Sequence, residues 1–200
     1  SSDLLINQAI VYFKNEEGRY KEAGNIKNAV PFLHQDPDSD EILGQCEESG
    51  RDQGHATLCV SLMGAFCQMA YSIGEDLFAF DNYRAVAMAE YVGKYNLIKD
   101  EAFNKGTLVG DDFVYDSHSF PYTSYSNPSY TNATISTDQR GTKRPAWELF
   151  YGYCKAKGIS SIYSGKWAEQ MRPDGGGGNY GPNSGGFDQL GFGTLMYYRE

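Results

Sequence analysis

Apolar positions along the chain recur at helical rather than alternating spacing. Leu4 to Phe13 predicts a polar helix, followed by a charged, glycine-containing turn. Asp36-Pro37-Asp38-Ser39-Asp40 has loop composition. The stretch after Gly54 is apolar on nearly every face up to Ile73. It predicts a helix over 54–73 that is buried on more than one side and stopped by Gly74. A second helix is expected over Tyr83 to Tyr95, with Val86, Ala89, Val92 and Tyr95 on one face and Asp81 or Asn82 as its cap. Pro145 suits the first position of a third helix, which runs through Trp147, Phe150, Tyr151 and Cys154 towards Gly158. A fourth covers Ser164 to Met171 and ends before Pro173. Between the second and third helices, residues 104–139 turn to Gly, Ser, Thr, Asn, Asp and Tyr, which predicts a long, ordered, functional loop. The tail from Gly175 is glycine-rich, yet Tyr180, Phe187, Leu190, Phe192 and Leu195 predict that it packs. Alternating strand signals are few and no internal repeat is evident.

Composition narrows the function. The 200 residues suit one domain or part of a larger one. Hydrophobic residues make up 40% and aromatics 14%, enough for a core. Lys and Arg number 17 against 26 Asp and Glu, a net charge of −9, which argues against nucleic-acid binding through a broad basic surface. No apolar run is long enough for a membrane span, and the first residues do not read as a signal peptide. Cys46, Cys59, Cys67 and Cys154 form no C-x-x-C pair, and with 3 His the spacing supports no metal site. No cofactor motif is present: the glycine run 175–178 lacks the Gly-Lys-Ser/Thr of a phosphate loop. Asn132-Ala133-Thr134 matches a glycosylation sequon, relevant only in a eukaryotic secretory context.

Two polar clusters could carry chemistry. Gln45 through His55 is the densest, and Arg51 and His55 share a face if the helix begins near Ser49. Such a cluster is either a satisfied network holding a helix end or the wall of a water-filled cleft. The second runs from Asp138 to Tyr151, with Arg140, Lys143 and Arg144 ahead of Trp147 and Tyr151. These are either solvated charges with core aromatics or a basic and aromatic lining for an acidic sugar. His34 is expected to be solvated, and His118 lies in a Tyr-rich loop.

Four blocks carry a family resemblance: GQCEESGRDQGHATL, GEDLFAFDNYRAVAMAEYVGKYNL, RGTKRPAWELFYGY and RPDGGGGNYGPNSGGFDQLGFGTLMY. In that order, over roughly residues 44–197, the chain resembles the alginate-lyase-like polysaccharide lyases. The resemblance implies an all-α fold, an (α/α) toroid or incomplete α/α barrel with long decorated loops. Residues 1–200 would be a single catalytic domain, the C-terminal portion of a toroid whose N-terminal part is missing or on another chain. It also implies β-elimination on a uronic-acid polymer of alginate or glucuronan type, without metal or cofactor, in the periplasm or outside the cell. On this reading His55 is base or carboxylate neutraliser, Tyr151 the acid or both acid and base, and Arg144 the cation that activates Tyr151 or neutralises substrate. Gln45, Glu48, Arg51, Gln53, Tyr125, Arg140 and Trp147 bind substrate, and Tyr122, Tyr125 and Tyr153 rival Tyr151. The family neutraliser includes an Asn, and none adjoins His55. Two other functions fit the residues: a glycoside hydrolase using carboxylates such as Glu47, Glu48, Asp52 or Glu148, and a non-catalytic polysaccharide-binding protein.

Overall fold

The computed structural model describes residues 2–15, 25–126, 131–176, 191 and 193–198. The chain begins with α1 (Ser2–Lys14) and a single turn, α2 (Ile26–Ala29). Strands β1 (Phe32–Gln35) and β2 (Ile42–Gln45) then pair antiparallel, with Phe32 opposite Gln45 and Gln35 opposite Ile42. The long helices follow, α3 (Gln53–Ser72) and α4 (Phe80–Asn96). Three-ten turns and a short antiparallel pair, β3 (Tyr125–Ser126) and β4 (Thr131–Asn132), occupy the long connection. The chain closes with α5 (Trp147–Lys157), α6 (Ile162–Met171) and α7 (Gly193–Tyr197).

This is a mixed fold, which corrects the all-α toroid or barrel that the resemblance implies: the described residues form two small antiparallel sheets beside seven helices. The reason is local. The segments flanking the Asp36 loop are 4 residues each, too short to form stable helices, and they pair as a hairpin across it. Gly44 lets that hairpin lie directly on α4, because a Cβ there would sit 2.8 Å from the Met88 backbone nitrogen. Helix α4 is therefore the centre of the molecule, buried from Ala85 to Asn96 and packed on by β2, α3 and α6.

The helices expected from the sequence form close to their expected ends, with corrections in detail. Helix α3 is not buried all round: small residues such as Gly64, Cys67 and Ala70 face the core, while Leu62 and Met69 face solvent. Neither Asp81 nor Asn82 is the cap of α4. The cap position is Ala79, and Asp81, Asn82 and Tyr83 take left-handed backbone angles, at φ 50°, 56° and 61°. L-residues pay roughly 1–2 kcal/mol each for that conformation. Gly158 ends α5 in the left-handed region at φ 67°, as a glycine after a helix commonly does. The glycine-rich tail over 177–190 and Phe192 lie outside the described residues. Leu195 does not pack: it is 80% exposed on α7, which meets α5 through its other face. Among the described residues no helix is long and apolar enough to cross a membrane.

Two buried charged groups tie the elements together. Lys94, only 1% exposed, donates to Asp36 and, at 2.6 Å, to Asp38. Asp36 also accepts from Ser39 Oγ at 2.6 Å and Tyr163 Oη at 2.5 Å. Burial alone would raise the Asp36 pKa, but these donors outweigh it and hold the carboxyl at about 2. Glu90 of α4 reaches the start of α6 and accepts the backbone N–H groups of Tyr163 and Ser164 at 2.8 and 3.0 Å. It supplies the cap that Ser161 does not. Burial dominates there and pushes Glu90 up to about 7.

Candidate active site

The first turn of α3 presents a histidine held by a carboxylate. Asp52 is the N-cap residue, and its Oδ1 accepts the His55 backbone N–H at 2.8 Å. Its Oδ2 lies 2.6 Å from His55 Nδ1. A carboxylate accepts, so Nδ1 carries the proton and Nε2 is left with its lone pair. The His55 side chain is 37% exposed while that of Asp52 is nearly covered. One buried carboxylate thus caps the helix, fixes the ring and selects its tautomer, the arrangement used to orient catalytic histidines. Arg51, 46% exposed, lies beside them, with Glu48 at 3.4 Å and Asp52 at 3.7 Å.

A network underneath holds this turn in place. Gln53 is buried, donating to the carbonyls of Ser49 and Ser136 at 3.0 and 3.1 Å and accepting from Asn96 at 2.8 Å. Asn96 Oδ1 in turn takes the Gly141 N–H at 2.9 Å. Arg144 is 1% exposed and reaches Thr57 Oγ1 at 3.2 Å and the Gly54 carbonyl at 3.3 Å. The loop after β4 is thereby latched across the head of α3: the Gln53 N–H bonds the Asp138 carbonyl at 2.9 Å and the Ser136 N–H bonds the Ser49 carbonyl at 3.0 Å. The resemblance implied that Arg144 activates Tyr151, yet Arg144 lies under α3.

A second pair of acidic groups, Glu47 and Tyr125, meets at the turn just ahead of α3. Tyr125 Oη donates to Glu47 Oε2 at 3.3 Å. Burial, with the charge of Glu48, pushes Glu47 up to about 7. Burial and then the Glu47 carboxylate push Tyr125 up to about 12, so it keeps its proton at any physiological pH. Gln45 is buried and structural: its side chain bonds both the N–H and the carbonyl of Thr123 at 2.7 Å. Contrary to expectation, His34 is not simply solvated. It bonds Gln45 at 3.0 Å and stacks on Tyr91 with ring centroids 5.9 Å apart.

The remaining expected site residues sit elsewhere. Trp147 is buried and stacks on Trp167 at 5.1 Å, leaving no face for a sugar. The ring of Tyr151 rests on Gly165 of α6, where a Cβ would meet it at 3.0 Å, and the cation over it is Arg172, 5.4 Å from the centroid. Tyr153 donates to Asp76 at 3.0 Å and stacks on Phe78. Tyr122 donates to the Asn132 carbonyl at 3.3 Å, beside Gly50. Arg140 lies between the rings of Tyr95 and Phe113, 4.0 and 4.2 Å from their centroids, and donates to the carbonyls of Tyr95 and Tyr115.

Sequence reasoning missed Asp52 as the partner of His55. Its signal was there: an Asp three residues ahead of a His at a helix start can cap the helix and reach the ring at once. Asn96 carried no such signal, since 43 residues separate it from Gln53. Among the described residues no group of three or more His, Cys, Asp or Glu could hold a metal ion. Comparison with protein-family models, with curated proteins and with solved structures gives no match.

Proposed function

We propose that the chain carries the proton-transfer site of a polysaccharide lyase that cleaves a uronic-acid-containing polymer, of alginate or glucuronan type, by β-elimination. The observation that carries this reading is the Asp52–His55 pair, with Nδ1 held by the carboxylate and Nε2 directed away from it. In this mechanism Nε2 takes the C5 proton of the uronate and Arg51 lies against its carboxylate, stabilising the charge that develops as the proton leaves. The C5–H electron pair forms the C4=C5 double bond while the C4–O bond breaks. The departing oxygen takes a proton from Tyr125, which Glu47 can replenish. Arg144 is a positioning residue that holds the α3 turn from beneath. The resemblance of the four sequence blocks to alginate-lyase-like enzymes is what favours this reaction class, and with it a periplasmic or secreted setting.

The test is ultraviolet absorbance of unsaturated product from the full chain on a panel of polyuronates, with His55→Ala and Tyr125→Phe variants beside it. Product from the parent that vanishes in His55→Ala supports the reading. Undiminished product from a folded His55→Ala variant, or a saturated reducing end in place of the unsaturated one, overturns it.

A further inference from the structure

A cavity of about 770 Å³ opens between the 103–113 segment and the 137–143 loop. Its lining includes Lys105, Arg140 and Lys143 and no Asp or Glu. That is a marked local reversal in a chain of net charge −9. Among the described residues neither Arg140 nor Lys143 is in an ion pair. The Arg140 guanidinium spends its donors on two backbone carbonyls and its faces on two rings. The Lys143 ammonium sits 3.7 Å over the Phe103 ring and donates to the Phe103 carbonyl. Both charges are fixed in place without an ion-pair partner, whereas Lys105 is paired with the Asp112 carboxylate, so Lys143 is the cavity's available cation. Thr137, Gln139 and Thr142 add hydrogen-bonding groups. The volume exceeds what one pyranose ring needs and lies in the usual range for ligand sites.

We propose that this cavity binds a carboxylated sugar ring, with Lys143 taking the carboxylate and the 137–142 loop taking hydroxyls. Resting on the lyase reading, the ring is a second uronate of the same polymer. Gln139 provides the link: it lines the cavity, and a Cβ on Gly54, next to His55, would lie 2.3 Å from its side-chain oxygen. A polymer seated at His55 would then have its neighbouring residue within reach of the cavity, and the local cations would offset the repulsion that the overall acidic charge imposes on a polyanion.

The experiment is a calorimetric and NMR titration of the full chain with sodium glucuronate, glucose and inorganic phosphate. The variants are Lys143→Gln, Lys143→Arg and His55→Ala. Saturable binding of glucuronate is expected, with glucose and phosphate weaker. Lys143→Gln should weaken glucuronate binding about ten- to a hundredfold, the scale of a lost hydrogen bond to a charged group. Lys143→Arg should restore much of it, and amide shifts should centre on Thr142. Should Lys143→Gln fail to fold, the methyl ester of glucuronate, which lacks the charge, should bind the parent about ten- to a hundredfold more weakly than glucuronate. Unchanged binding in a folded Lys143→Gln, or the methyl ester or phosphate binding as tightly as glucuronate, overturns the proposal. The two readings separate in His55→Ala: binding retained without turnover supports both. Binding retained in a parent that produces no unsaturated product supports the cavity and removes the lyase.

Discussion

Asp52 does two jobs with two oxygens, and the jobs can be separated. Asparagine at position 52 keeps Oδ1 as the acceptor for the His55 N–H, now at 2.8 Å, so the cap survives. What the helix loses is the charge at its N-terminus, worth about 0.3–1 kcal/mol. The other oxygen, 2.6 Å from Nδ1, becomes an NH₂ donor. A donor cannot face Nδ1–H, so the ring must move its proton to Nε2, the nitrogen assigned to remove the C5 proton. Asp52→Asn should therefore fold with at most about 1 kcal/mol of loss and turn over about 10²–10⁴-fold more slowly. Asp52→Ala removes cap and orientation together and should cost about 0.5–2 kcal/mol as well as the rate. Urea denaturation gives the stabilities, long-range ¹H–¹⁵N correlation of the imidazole gives the tautomer, and unsaturated-product absorbance gives the rate. An Asp52→Asn variant with the proton on Nε2 and turnover within about threefold of the parent would refute His55 as the base.

Other expectations follow from the buried charges and the crowded turns. Lys94→Met leaves Asp36 buried without its cation and should cost about 3–5 kcal/mol in urea, against less than 1 kcal/mol for an exposed pair. Because the Asp36 carboxyl is held at about 2 in the fold, below its ordinary 3.8, its stabilisation is complete above about pH 4 and is lost as pH falls through 2. Asp36→Asn should flatten that acid limb of the melting-temperature profile by about 2 kcal/mol. Glu90 runs the other way. Its folded pKa of about 7 lies above the ordinary 4.5, so the fold binds the extra proton and stability falls as pH rises from about 4.5 through 7. Melting temperatures of Glu90→Gln across that window should show a shallower slope by roughly 3 kcal/mol, and an unchanged slope would contradict the assignment. Gly141→Ala should cost about 1–3 kcal/mol by thermal denaturation, since position 141 has φ 82° and a Cβ there would meet Leu108 at 2.7 Å.

The five longer helices were legible in the sequence because each shows helical spacing over two turns or more, whereas the short α2 and α7 were not. The β1–β2 hairpin was not. Phe32–Gln35 and Ile42–Gln45 are too short to show alternation, and what makes them strands is the flat back of α4 that Gly44 admits. The left-handed turn at 81–83 was read as a cap, since Asp and Asn suit caps as well as left-handed angles. At the site, the polar run from Gln45 to His55 stood out. Its division into a buried half (Gln45, Gln53) and an outward half (Arg51, His55) depends on partners far along the chain, Thr123, Ser136 and Asn96. The Arg144–Tyr151 pairing that the resemblance implied does not form: Arg144 precedes α5, where Pro145 disfavours helical geometry, and its guanidinium turns to α3.

The capping of α6 by Glu90 has a consequence for the order of assembly. Helix α6 is 10 residues long, below the length at which an isolated helix holds together in water, and it has no side-chain cap of its own. The acceptor for its first N–H groups comes from 73 residues earlier. Helix α6 should therefore be absent from the early, locally folded chain and should appear only when α4 is in place, making its formation a long-range, late and cooperative event. A peptide spanning 159–174 should be unstructured alone, and a Glu90 substitution should chiefly speed unfolding rather than slow folding.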